Sequence, residues 1–350
     1  SIPTHAPINA SIDSSGDYKK KVRKVRNYLI GQFTSPGQPG HCFRPYFEYL
    51  RDALKVPDFS QGDNEKYHFI LPSFFECLIA LKKRTQPFQL IFRTFGDDLP
   101  EIINEFNLFC AGKHPYFPSS KTGLVFDGSD GQPDYTITSK NTGTFFRGPD
   151  FKKCSLVMGT IEQVPKMKFG VEWYKTDAPK EIQQSVIEIY DSYPEIYQFL
   201  TKWAKNHHKK DATDVGHCAL ALRDYYDFWG ANNCSYNSGK LLLIDPEDTS
   251  IHQVFFDDNA NIDRFYESKY LIVDCRTVSG ESLAPPDTIN QFVVNAGGLY
   301  AIADRKYYLK CIEVCRKKRL AAKPVGLSAS GEFTELFAKL RAHVPSDDKV

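Results

Sequence analysis

PSFFECLIALKKRTQPFQLIFRTFGDDLPEIINEFNLFC, residues 72–110, reads as helix, strand, turn, helix. Apolar residues from Pro72 to Lys83 recur at helical spacing, which predicts an amphipathic helix. Gln86 and Pro87 end that connection, because proline has no amide proton to give to a helix. Phe88–Arg93 is a short apolar strand, and Thr94-Phe95-Gly96 is a turn. Asp97 or Asp98 then caps a second helix, with Pro100 in its first turn and Glu101 near its positive end. Helices alternating with an apolar strand are the grammar of a parallel α/β sheet.

The same grammar returns towards the C-terminus. HCALALRDYYDFW (217–229) is an apolar strand running into Arg223-Asp224. GKLLLID (239–245), IHQVFFDDNANI (251–262) and KYLIVDCRT (269–277) are three more apolar runs bounded by acidic or glycine turns, as expected of buried parallel strands. Between these regions, residues 112–175 are rich in Gly, Pro, Asp, Ser and Thr, with short strand-like runs. Residues 178–210 read as mostly helical, with Pro194 as a break. At the N-terminus, KKKVRKVRNYLIGQF (19–33) places Val22, Val25, Leu29 and Ile30 at helical spacing beside a solvated basic face. RPYFEYLRDAL follows as a second helix. YAIADRKYYLKCIEVCRKKRL and EFTELFAKLRAHV close the chain as two more.

The expected architecture is therefore α/β, a doubly wound parallel sheet. Residues 71–111 and 210–325 form its core. Residues 1–70 are a helical N-terminal cap region, 112–209 a β-rich insertion with helices, and 326–350 a C-terminal helix and tail. The chain of 350 residues is long enough to bury a sizeable core. Lys+Arg (44) nearly balance Asp+Glu (43), so no global charge points to nucleic acid. The nine cysteines are odd in number and scattered through apolar runs, which suits buried thiols of a cytoplasmic protein better than a disulfide framework. No apolar run approaches the roughly 20 residues of a membrane helix, and no membrane partner is expected.

The chemistry concentrates in three places. VFFDDN (254–259) delivers Asp257, Asp258 and Asn259 to the C-terminal end of an apolar strand, where α/β sheets bind ligands. Adjacent carboxylates repel each other unless a cation neutralises them, and hard oxygen ligands on a short loop suit Mg2+. The alternative is a surface turn with capping acids. Thr94 stands at the end of LIFRT, just before a helix N-terminus. There the backbone amides of Phe95 and Gly96 and the helix dipole suit a phosphate. Lys240, in the turn NSGK, can hold an anionic intermediate and balance the acids. Arg147 and Arg223-Asp224 either line the same pocket or serve as structural ion pairs. Asp274 can support the acidic edge, and Trp229 reads as core.

Thr94, then Lys240, then Asp257-Asp258 appear in an order that resembles the haloacid-dehalogenase-like (HAD-like) superfamily of aspartyl phosphohydrolases, over roughly residues 68–110 and 215–280. Thr94 in LIFRTFG looks like its second motif, Lys240 its third and VFFDDN its fourth. The resemblance implies a Mg2+-dependent phosphatase acting on a phosphorylated substrate. Thr94 and Lys240 would hold the phosphoryl group, and Asp257 and Asp258 the metal. The superfamily's first motif, an apolar strand ending in the nucleophilic Asp and a second Asp, is not visible before Thr94. Two expectations follow: the motif lies on a segment before Ser1, or the protein is a non-catalytic binding and interaction module of the same fold.

Overall fold

Five residues of LIFRT form strand β1 (Leu90–Thr94), and the apolar run ALALRD forms β5 (Ala219–Asp224) beside it in parallel, with Thr94 opposite Arg223. The computed structural model describes residues 16–56, 67–85, 87–148, 153–165, 170–205, 217–260 and 272–321. β2 (Thr142–Arg147) joins the other side of β5 in parallel, and β3 (Cys154–Met158) and β4 (Glu188–Tyr190) continue antiparallel, giving the order β1-β5-β2-β3-β4. Gly143 lies where a β-carbon would meet the Met158 Sδ and the Val157 carbonyl oxygen, each at 2.9 Å, so only glycine lets β2 and β3 approach this closely.

Residues 112–209 were expected as an insertion, yet their strand β2 is central to the sheet. The reason is burial: every residue of β2 and β3 is buried. A strand with no solvent face must be covered on both sides. The sheet is consequently mixed, and the expected all-parallel arrangement holds for β1, β5 and β2.

The helices are α1 (Gly16–Gln32), α2 (Arg44–Leu54), α3 (Pro72–Lys83), α4 (Leu99–Cys110), α5 (Ser119–Thr122), α6 (Glu172–Thr176), α7 (Lys180–Ser185), α8 (Tyr193–Lys205), α9 (Tyr226–Ala231), α10 (Pro285–Thr288), α11 (Gly298–Ala303) and α12 (Tyr307–Leu320). β5 shows how they cover the sheet. Ala219 and Ala221 pack with Phe75 of α3 and Phe106 and Phe109 of α4. Leu220 and Leu222 pack with Ile196, Leu200 and Trp203 of α8. Alternate residues of one strand thus serve two apolar layers, as the pleat requires. Phe75 and Phe106 are fully buried, and truncating either to alanine would cost about 3–5 kcal/mol.

The three C-terminal apolar runs do become parallel strands. With a fourth strand, β9 (Val293–Asn295), they form two separate pairs: β6 (Lys240–Leu243) with β8 (Val273–Arg276), and β7 (Phe255–Asp257) with β9. The chain divides into two compact units, Ser1–Ala53 with Ser330–Val350, and Leu54–Ala329. The strands all belong to the second. No described helix is long and apolar enough to cross a membrane.

Candidate functional site

Lys240 is the first residue of β6, set there by a short 3-10 turn (Tyr236–Ser238) and by Gly239. A β-carbon on Gly239 would lie 2.0 Å from the Ile272 carbonyl oxygen, so glycine is required for β6 to meet β8. The Lys240 Nζ donates to Asp257 Oδ2 at 2.9 Å and reaches the Arg93 carbonyl oxygen at 3.5 Å. It also lies 5.3 Å from the centre of the Phe95 ring. Lys240 and Asp257 are both buried, at 8 % and 7 % exposure. The lysine of β6, the aspartate of β7 and the end of β1 are therefore neighbours, although more than 140 residues separate Arg93 from Lys240.

The groups brought together are already engaged. Asp257 Oδ1 accepts the Asn259 amide at 2.9 Å. Thr94 Oγ1 accepts the Gly96 amide at 2.8 Å and donates to Asp98 Oδ1 at 3.1 Å. Those are bonds within a turn, and they occupy the hydroxyl and the Gly96 amide that were expected to cradle phosphate. Asp258 is exposed, and its Oδ1 accepts from the Asn259 side chain at 2.9 Å. Two successive residues at a strand end point to opposite sides. Asp257 and Asp258 accordingly offer one buried carboxylate, already paired with Lys240, and one solvated one. Mg2+ would have to displace the Lys240 ammonium from Asp257 to use that carboxylate, since the metal needs oxygen ligands free to meet it.

A second buried pair lies alongside. Arg93 Nε donates to Asp224 Oδ2 at 2.9 Å, its Nη2 donates to the other oxygen, and its Nη1 donates to the Leu241 carbonyl at 2.6 Å. Its guanidinium sits 4.5 Å over the Phe145 ring. Arg147, read from the sequence as either a pocket residue or a structural ion pair, is an ion pair: it meets Asp274, read as a supporting residue, at 2.7 Å. Arg276 donates to the same Asp274 oxygen at 2.7 Å, and Asp274 is wholly buried. Arg223 pairs instead with Asp97, whose side chain is 89 % exposed. Burial lowers the Arg223 guanidinium from its ordinary range. Beyond these pairs Trp229, expected in the core, is half-buried and stacks on Phe95 at 5.3 Å, with the exposed Tyr226 edge-on to both rings.

Sequence reasoning missed a polar cluster elsewhere. Glu105 of α4 accepts from His68 Nδ1 at 3.0 Å and from His114 Nε2 at 3.2 Å, both on Oε1, and its Oε2 accepts the Phe69 amide at 2.7 Å. Burial alone would raise this carboxyl. The bonds from His114, His68 and the Phe69 amide outweigh it and bring the group down to about 2. The three ligand atoms lie within 4.8 Å of one another, a spacing that could hold a metal. The tautomer argues otherwise. His114 Nδ1 accepts the amides of Tyr116 and Phe117 at 3.1 and 3.2 Å, so Nε2 carries the proton and has no lone pair for an ion. The cluster is a hydrogen-bonded clasp that ties residues 68–69 and 114–117 to α4. Its members are 37 and 9 residues from Glu105, with no local motif to announce them.

No family model, no curated protein and no solved structure matches this chain.

Proposed function

We propose that this chain is a non-catalytic member of the HAD-like group, an α/β module that holds a partner at its strand ends and does not break phosphate esters. The observation that carries this reading is the mutual pairing of Lys240 with Asp257 and of Arg93 with Asp224. Phosphoryl transfer through an aspartyl intermediate needs a carboxylate free to attack phosphorus and a cation free to meet the transferring oxygens. Here each buried cation is spent on a buried carboxylate. Releasing either group would leave an uncompensated charge in the interior. What a partner would meet instead is Arg223, Tyr226, Phe95 and Trp229, the residue types that carry most binding energy at protein interfaces.

A second reading is a Mg2+-dependent phosphohydrolase acting on a phosphorylated substrate. It is favoured by the approach of Lys240 to both Asp257 and the end of β1 next to Thr94. It would need a nucleophilic aspartate free of a cation, and among the described residues the aspartates beside Lys240 and Arg93 are both paired. One experiment separates the two. The purified chain and its Asp257→Ala variant are assayed on p-nitrophenyl phosphate with and without Mg2+, and thermal unfolding is followed in parallel. The expected result is no turnover above the variant and no rise in melting temperature with Mg2+, because a ligand of the native state must raise apparent stability. Mg2+-dependent turnover that disappears in Asp257→Ala would replace the first reading by the second.

A further inference from the structure

Helices α1 and α2 belong to the smaller unit, and neither buries a side chain among its described residues. Between residues 24 and 53 the one buried residue is Gly40, where the chain turns against the Phe33 ring. Val25, Leu29 and Ile30 on α1 are 54–65 % exposed, and Phe33, Phe43 and Phe47 between and on the two helices are 43–44 % exposed. Val22, Val25 and Leu29 recur at the spacing of one helix face, flanked by Lys21, Arg23, Lys24 and Arg26. An amphipathic helix gains its stability from burying such a stripe, and two helices alone cannot cover each other's apolar surface and leave this much outside.

The remaining part of the same compact unit is Ser330–Val350. Its sequence carries a complete helix signature: Ser330 as a cap, Glu332 and Glu335 early, Arg341 and His343 late, and Pro345 as a stop. Phe333, Leu336, Phe337, Leu340 and Val344 follow at i, i+3, i+4, i+7 and i+11, a second apolar stripe. Thirteen residues, 332–344, make a helix of about 20 Å, long enough to run beside the apolar half of α1. Its early glutamates also suit the strongly basic α1.

We infer that the C-terminal segment 332–344 is the occupant of the exposed α1–α2 face, so that the two ends of the chain close one three-helix unit. The inference is independent of the functional reading above. It is tested by amide hydrogen exchange on the full chain, beside full-length variants Leu336→Glu with Leu340→Glu and Val25→Glu with Leu29→Glu. Amides of residues 24–50 are expected to exchange at least about tenfold faster in both variants, while those of β5 keep their rates and show that the larger unit stays folded. Equal exchange in all three proteins would overturn the inference. So would protection of α1 that grows with protein concentration, since a second copy would then be the cover.

Discussion

At the strand ends Arg93, Lys240 and Arg147 each face an aspartate; beside α4, Glu105 faces two imidazoles. Both regions bury charge, and they do so in different ways. The strand ends match full positive charges to full negative ones, drawn from strands far apart in sequence. The clasp solvates a single carboxylate with three donors, two imidazoles and the Phe69 amide. The first arrangement is intolerant of losing one partner. The second is tunable by acid.

The sharpest way to break this contrast is to remove one member of a strand-end pair. Asp274→Ala leaves the buried Arg147 and the part-buried Arg276 without their carboxylate, and the expected loss is about 3–5 kcal/mol in denaturant unfolding. Lys240→Met strands Asp257, which keeps only its bond from the Asn259 amide; about 3 kcal/mol is expected. Pairing that change with Asp257→Leu should recover most of the loss, since apolar residues of similar size often replace a buried ion pair without penalty. A double variant as unstable as the single one would show that the pair contributes more than mutual neutralisation.

The clasp is tested by acid. Glu105 ionises well below the ordinary carboxylate value of 4.5, near 2. Its contribution is complete above about pH 4.5 and is lost as pH falls towards 2, because the unfolded chain then takes up a proton that the folded chain refuses. Glu105→Gln should cost about 1.5–3 kcal/mol at pH 6, the range for hydrogen bonds to a charged group. The gap between wild type and variant should narrow steadily between pH 4.5 and 2. A constant gap would mean that the carboxylate charge is not what holds His68 and His114.

Much of this frame was legible in the sequence, because local rules wrote it. Pro72–Lys83, LIFRT and the helix from Leu99 appear where their periodicity, Pro100 and Gly96 place them. Lys240 was read as able to balance the acids of VFFDDN, and the structure puts its ammonium 2.9 Å from Asp257. The state of those residues was not legible. Whether a strand-end aspartate is free or paired depends on which strand lies next to it, and pairing is set by burial over long range. Arg93 illustrates this. A lone arginine inside an apolar strand is costly unless a carboxylate meets it, a signal in LIFRT that went unused; the structure supplies Asp224. Residues 112–175 looked like an insertion because their turns are loop-like. Only the complete burial of β2 shows that they belong to the sheet.

The smallest effect belongs to the same edge. Asp97 and Arg223 form an ion pair a few residues from Arg93 and Asp224, so the two pairs share chemistry and neighbourhood and differ in burial. The Asp97 side chain is 89 % exposed, against 4 % for Asp224. Water and salt screen the exposed pair, and ordering its two side chains costs conformational entropy. Asp97→Ala should therefore change stability by less than about 0.5 kcal/mol, and raising the salt concentration should remove even that. Asp224→Ala, by contrast, should cost several kcal/mol at any salt concentration, because it leaves Arg93 buried with no carboxylate. If the two variants behaved alike, burial would not be what separates a structural charge from a surface one at these strand ends. The argument that the Lys240–Asp257 pair is closed to ligands would then lose its footing.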